Sequence, residues 1–208
     1  MIEEKYIISA CVISNNVALK NNGIVFSGEN KGLRQFLTSV YNHVRIDYPK
    51  FYKMDNLCKL GWLASEILMK DESIISEFKP EEIGTVFTNA NASLDTDLNY
   101  FETTKVIASP ALFVYTLSNI IAGEICIRNK FKGENAFFVF KEFNAAFIKV
   151  YVDDLFANNS MKLCICGWID VLEEDYKAVL YLVSTKKKEG MLLFTEENMN
   201  GIFKSVEA

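Results

Sequence analysis

Histidine is almost missing from this chain, with one residue, His43, among 208. A surface position on a helix is the plain reading of that single imidazole. Positive charge is also in deficit. Lysine and arginine number 22 against 27 acidic residues, a formal net charge of −5, so no nucleic-acid footprint is expected. The one basic cluster, Lys186-Lys187-Lys188 between Thr185 and Glu189-Gly190, reads as a solvated turn between strands. No CxxC pair occurs among the five cysteines, and an odd count without such spacing fits a reducing cytosol, so a cytoplasmic location is expected. Cys164 and Cys166 alternate along a strand-like run and read as small core side chains; no metal site and no cofactor is expected. Long apolar runs are missing too. The longest, Ala111 to Ile127, is interrupted by Thr116, Ser118, Asn119, Gly123 and Glu124, which makes it a buried helix and not a membrane span. The start, Met1-Ile2-Glu3-Glu4-Lys5, has no basic region leading into an apolar core, so no signal peptide is expected.

What the chain does have is apolar content, 50% by the usual count, enough to fill one domain. We expect a single domain over 1–208, with a core of about 5–184 and a C-terminal hairpin and helix extension over about 178–206. Tyr6–Ile13 is a nearly continuous apolar run, as in a strand covered on both faces. Residues 14–53 read as loop-rich with one helix near Leu33–Val44. Asp55 is placed to cap a helix carrying Leu57, Leu60, Ala64, Ile67 and Leu68 on one face. Ile83–Thr88 reads as a strand, and Asp97 to Ile107 as a weak helix stopped at Ala108-Ser109-Pro110. A long helix follows from about Leu112 to Ile127, then the strand Ala136–Phe140, then a helix from Glu142 to about Ala157 that stops at Asn158-Asn159-Ser160. Lys162–Gly167 forms a further strand, and Ala178–Val183 with Met191–Phe194 reads as a hairpin around the lysine turn. This alternation predicts an α/β protein, a three-layer α-β-α sandwich on a five-stranded, mostly parallel mixed sheet. Its strands lie near 5–13, 83–88, 136–140, 162–167 and 178–184. There is no internal repeat and no low-complexity linker.

The sharpest local feature is the junction after Ala136–Phe140. A strand aimed into a helix start places the junction residue where backbone N–H groups and the helix dipole favour negative charge. Such a position can activate a cysteine or support an oxyanion. Here it holds Glu142.

Several segments resemble the β-ketoacyl-acyl-carrier-protein synthases of the thiolase-like superfamily. Ser109-Pro110 through Asn119-Ile120-Ile121-Ala122-Gly123 is similar to their Ser-Pro…Asn-x-x-Ala-Gly segment. Lys132-Gly133-Glu134-Asn135 resembles their Lys-Gly-Pro-Asn turn, and Met54-Asp55-Asn56-Leu57-Cys58-Lys59-Leu60 their Met-Asp-Arg-x-x-x-Leu helix start. Cys166-Gly167-Trp168-Ile169-Asp170 stands where they have Ala-Gly-Gly-x-Glu, and Thr88-Asn89-Ala90-Asn91-Ala92-Ser93 where they have a Gly-rich strand end. The resemblance covers most of residues 5–184. It implies half of a thiolase-like fold, with strand 5–13 central and Ala136–Phe140 at one edge.

The resemblance also bears on chemistry. The family's nucleophilic cysteine lies seven residues after the Asn of Lys-Gly-Pro-Asn, and counting from Asn135 lands on Glu142, the pseudo-active-site position. A carboxylate attacking a thioester would give a reactive mixed anhydride with no gain. A complete condensing enzyme also takes a histidine pair and a second oxyanion donor from a second half, absent from this sequence. Catalytic residues are therefore expected to be none, with no independent ketosynthase activity. The implied role is that of a short chain-length-factor-like homologue: a non-catalytic subunit pairing with a complete ketosynthase, alongside an acyl carrier protein, in fatty-acid-like or polyene/polyketide biosynthesis. Larger chain-length factors carry Gln at the nucleophile position, so Glu142 departs from that pattern as well. The alternative is an acyl-thioester decarboxylase or hydrolase with Glu142 as general base; a third reading is a ligand-free homodimeric scaffold. Tyr115, Leu117 and Phe143 are the acyl-pocket candidates, against the plainer reading of Tyr115 and Leu117 as core or interface residues. The apolar helix 112–127 and the strand 136–140 predict a dimer, homomeric or heteromeric, burying more than about 1,000 Å².

Overall fold

All nine residues of β1 (Tyr6–Ser14) are buried, so helical layers must cover the sheet on both faces. The computed structural model describes residues 4–29, 32–158, 161–187 and 190–205. In chain order β1 is followed by β2 (Val17–Lys20), β3 (Gly23–Ser27), α1 (Leu33–Val44) and α2 (Asn56–Met69). Then come β4 (Ile83–Asn89), α3 (Leu94–Thr104), α4 (Pro110–Phe113), α5 (Ile120–Asn129), β5 (Asn135–Val139) and α6 (Ala145–Ala157). The chain closes with β6 (Leu163–Leu172), β7 (Asp175–Ser184), β8 (Leu192–Leu193) and α7 (Glu196–Lys204).

The strands form one mixed sheet in the order β3-β2-β1-β7-β6-β4-β5, with β8 pairing β1 off that path. The α/β class and the thiolase-like half are as expected, with β1 inside the sheet and β5 at an edge. The strand count and direction differ. Eight strands form instead of five. Only the β4–β5 and β4–β6 pairings are parallel, whereas β1–β2, β1–β7, β1–β8, β2–β3 and β6–β7 are antiparallel.

Two of the three extra strands, β2 and β3, lie in 14–53, which the sequence presents as loop-rich, and the third is β8. The tight turns Asn15-Asn16 and Asn21-Asn22 have positive φ at both residues, which matches the right-handed twist of two-residue hairpins, and Asn tolerates that conformation. Asn21 also fastens to β1: its Oδ1 accepts from the Ala10 N–H at 2.8 Å and its own N–H donates to the Ala10 carbonyl at 2.9 Å. The C-terminal hairpin is redirected. β7 instead returns from β6, from Leu172↔Asp175 to Leu163↔Ser184, and β8 pairs Tyr6 and Ile7 of β1. The expected helix 112–127 is split into α4 and α5 by turns over 114–119, with Thr116, Ser118 and Asn119 in the break. Lys188 and Glu189 of the lysine turn, and Asn159-Ser160 after α6, lie outside the described residues, as do residues 206–208.

One helical layer, α1, α2 and α5, packs a cluster containing Phe36, Leu60, Trp62, Leu63, Ile121 and Ile165. The other, α6 and α7, packs Ile148, Val152, Val179, Tyr181 and Met199, with the Tyr181 hydroxyl donating to the Met199 carbonyl at 2.8 Å. α2 lies in the first layer with most of its circumference buried, and Asp55 caps it by accepting from the Cys58 N–H at 2.8 Å. Gly167 in β6 is required by geometry: its φ is +147° and a Cβ there would lie 2.0 Å from the Val179 carbonyl oxygen.

Asp170, near the end of β6, ties that strand to the loop after β4. One oxygen accepts from the backbone N–H groups of Ala90 (3.1 Å) and Asn91 (3.0 Å), and the other from the Asn91 side-chain amide (2.8 Å). Removing a partly buried carboxylate strands three donors at once. Asp170→Ala is expected to lower unfolding stability by about 2 kcal/mol, measured by urea denaturation, with Asp170→Asn costing less because it keeps an acceptor. Wild-type stability in Asp170→Ala would contradict the clamp.

Candidate functional site

The three parallel strands point their C-terminal ends to one side of the sheet, the side where α/β proteins bind ligands. Asn89 of β4 pairs with Val139 of β5, and Thr88 pairs with Trp168 of β6. The Phe140 N–H donates to the Asn89 carbonyl at 2.8 Å and carries the chain out of the sheet toward Glu142.

Glu142 does not begin a helix. It sits exposed in the bend between β5 and α6, and α6 starts at Ala145. Asn144 holds the cap position, its Oδ1 accepting from the Phe147 N–H at 2.9 Å. The later start has a local cause: Asn is a far better cap than Glu, because its short side chain reaches the first free N–H groups of the helix. Without burial or a place at the helix end, Glu142 lacks the surroundings that a general base or a dipole-stabilised carboxylate needs.

The loop after β4 is also filled from within. Asn89 exchanges hydrogen bonds with Ala92, Nδ2 to the carbonyl at 2.8 Å and Oδ1 from the N–H at 3.0 Å. The adjacent N–H groups of Ala90 and Asn91 both donate to Asp170. Successive backbone N–H groups of this kind can bind an anion or a developing oxyanion. Here an internal carboxylate takes both. In the sequence Asp170 stands only as part of a motif, and the signal for its clamp is an acidic residue close after a strand glycine. The Ser93 hydroxyl donates to the Thr116 carbonyl at 3.0 Å and so joins this loop to the segment between α4 and α5.

Tyr115, Leu117 and Phe143 are not assembled into one pocket. Tyr115 is buried in the α2/α5 layer, its hydroxyl donating to Glu124 Oε1 at 3.2 Å. Burial, reinforced by the Glu124 charge, pushes its phenol pKa up. Glu124 is itself buried, and Lys50 Nζ stands 2.7 Å from its Oε2 as an ion pair outside hydrogen-bond geometry. Phe143 packs on the opposite face of the sheet, against the α6/α7 cluster. It is stacked on Phe203 of α7 at 4.2 Å between ring centroids, with Trp168 edge-on at 6.3 Å. Leu117 is 61% exposed. His43 is exposed near the end of α1, its ring 5.2 Å from that of Phe26.

Leu117 belongs to a larger apolar surface. Leu94, Leu98 and Phe101 repeat along one face of α3, and all three are exposed. Val106, Ile107, Phe113, Val114 and Leu117 follow, with Val106 87% and Ile107 80% exposed. Tyr100 and Phe113, 5.5 Å apart, pack α3 against α4. Val139, at the end of the edge strand, is exposed as well. The sequence pattern points to the apolar helix 112–127 and the strand 136–140 as the open surface and does not reveal the α3 share of it, because a weak helix from Asp97 leaves out Leu94. Among the described residues, no helix is long and apolar enough to cross a membrane and no cluster of acidic, cysteine or histidine side chains is arranged to hold a metal.

No protein-family model matches the chain, and no curated protein matches it. Solved structures do. A structure of the ishigamide ketosynthase/chain length factor superposes with a TM-score of 0.63 at 15% identity, covering 90% of this chain and 63% of that one. AntDE:AntF, a type II PKS acyl-carrier protein in complex with its ketosynthase bound to the hexaketide, gives 0.60 at 11% identity, with 88% and 63% covered. The ketosynthase ApeO in complex with its chain length factor ApeC, from Xenorhabdus doucetiae, gives 0.57 at 8% identity, with 88% and 79% covered. This chain thus spans less than two thirds of the length of the first two chains. The fold is the thiolase-like fold of the ketosynthase and chain-length-factor structures.

Proposed function

We propose that this protein is a non-catalytic, chain-length-factor-like subunit that pairs with a complete ketosynthase and works beside an acyl carrier protein in fatty-acid-like or polyene/polyketide biosynthesis. The observation that carries this reading is the apolar surface of α3, α4 and the segment up to Leu117. So many exposed large apolar side chains in one stretch mark a surface that another chain covers. The unpaired outer edge of β5 lies open to a partner strand as well. The site at the strand ends supports the non-catalytic part: Glu142 stands at the nucleophile position, and the neighbouring backbone donors are spent on Asp170. The alternative of a decarboxylase or hydrolase with Glu142 as general base finds no support in an exposed carboxylate. Leu117, at the rim of the apolar surface, is the residue through which such a subunit would limit the length of an acyl chain passing between the two proteins.

Co-expression with a complete ketosynthase is expected to give a stable 1:1 complex by size-exclusion chromatography with light scattering. Phe113→Asp is expected to weaken it by about tenfold or more, since it places a charge in the apolar contact. A clean monomer that retains no ketosynthase in a pull-down would refute the pairing. In a reconstituted complex, Leu117→Ala is expected to shift products toward longer chains and Leu117→Trp toward shorter ones, at roughly 1–3 kcal/mol of discrimination per methylene. An unchanged product distribution in both would remove Leu117 from the acyl path. Purified Glu142→Cys protein is expected to form no ketoacyl product from acyl and malonyl thioesters, because a thiol here gains neither a general base nor free oxyanion donors. Mass-spectrometric detection of that product would show the site to be competent after all.

A further inference from the structure

A cavity of about 290 Å³ opens where α1, α2, α3 and α4 meet, and its lining is mostly polar. Two cations reach it, Arg34 from α1 and Lys59 from α2. Lys59 is only 6% exposed. A lysine this deeply buried is normally paired, since an ammonium leaves water at a cost of several kcal/mol. Among the described residues Lys59 has no ion-pair or hydrogen-bond partner, and its ammonium lies over the face of the Phe51 ring, 5.8 Å from the centroid. Arg34 likewise makes no ion pair among the described residues.

The carboxylates on the cavity wall are committed elsewhere. Asp55 accepts from the Cys58 N–H at 2.8 Å and from the Thr96 hydroxyl. Asp95 accepts from the Glu173 N–H at 2.9 Å and from the Asn56 amide at 3.2 Å. Burial first, and the positive charge of Arg34 second, lower the Lys59 pKa, opposed only in part by Asp55. Asn56 and Asn99 also line the cavity, each with one amide hydrogen used on Asp95 and a second left to donate.

We propose that this cavity binds a phosphate-class oxyanion, free or as a phosphate ester, between Lys59 and Arg34. A tetrahedral oxyanion offers oxygens in several directions, which suits a guanidinium fork and an ammonium on different helices better than a planar carboxylate does. The cavity exceeds the volume of a phosphate ion, so an ester carrying an organic group also fits. The buried ammonium would gain a directly hydrogen-bonded anion, which neither Asp55 nor Asp95 provides among the described residues. This inference does not rest on the pairing with a ketosynthase.

Titration calorimetry of the full chain, with inorganic phosphate and separately with glycerol 3-phosphate at ionic strength matched by chloride, tests it. Saturable one-to-one binding of at least one is expected, and the tighter of the two tells a free ion from an ester. Lys59→Met is expected to weaken binding by about tenfold or more, the worth of one charge-assisted hydrogen bond. Arg34→Gln, at an exposed position that leaves the core untouched, is expected to weaken it comparably and decides the matter if Lys59→Met does not fold. No saturable binding of either compound by the wild type, or undiminished binding in folded Lys59→Met or Arg34→Gln, would overturn the proposal.

Discussion

The constraint on which the rest depends is that the middle of the sheet is apolar on both faces. β1 is buried along its whole length, and the inner stretches of β6 and β7 are buried with it. Each face therefore needs its own helical cover, and the two clusters built around Trp62 and around Tyr181 are the result. α2 is held closest to that requirement. Gly61 lets it approach Ile121 of α5 and Ile169 of β6 so closely that a Cβ would stand 2.8 Å from each. Asp55 closes its start, and the packing of α1, α2 and α3 draws Lys59 into a cavity whose carboxylates, Asp55 and Asp95, make their hydrogen bonds to other groups.

Where a thiolase-like fold can offer backbone donors to a reacting group, this chain satisfies them from within. Asp170 binds the two N–H groups after β4, and Asn144 caps α6. Trp168, Phe143 and Phe203 fill the space beneath the strand ends with stacked and edge-on rings. These backbone donors are thereby satisfied within the chain. The surface from α3 to Leu117 shows the opposite imbalance, with apolar groups left exposed among the described residues. Satisfied backbone donors beside an exposed apolar surface are the two features on which the proposed subunit role rests.

Periodicity and capping made much of this legible before any coordinates. The unbroken apolar run of β1 marks a strand covered twice, and Asp55 before Leu57 and Leu60 marks the start of α2. The motifs at Ser109-Pro110, Lys132–Asn135 and Cys166–Asp170 point to a thiolase-like half, which the superpositions bear out at the level of fold. The failures are local and have causes. Asn15-Asn16 and Asn21-Asn22 were not read as hairpin turns, although only positive φ at both residues allows β1 to β3 to fold back so tightly. The helix read from 112 to 127 breaks because Thr116, Ser118 and Asn119 favour turns as much as helix, a balance that periodicity does not weigh.

By itself, then, the sequence determined which segments are strands buried on both faces, where α2 begins, and that position 142 carries a carboxylate. Those properties are local, written in side-chain type and spacing within a few residues. Only the tertiary structure decided the strand directions, the pairing of β8 with β1, the exposure of Glu142, and the separation of Tyr115 from Phe143 by the sheet. It also decided that Asp170 would spend its charge on Ala90 and Asn91, and that Lys59 would be buried unpaired. The physical reason is the same for each: these outcomes depend on which distant groups meet after collapse, and a burial or hydrogen-bond partner some eighty residues away leaves no trace in local pattern.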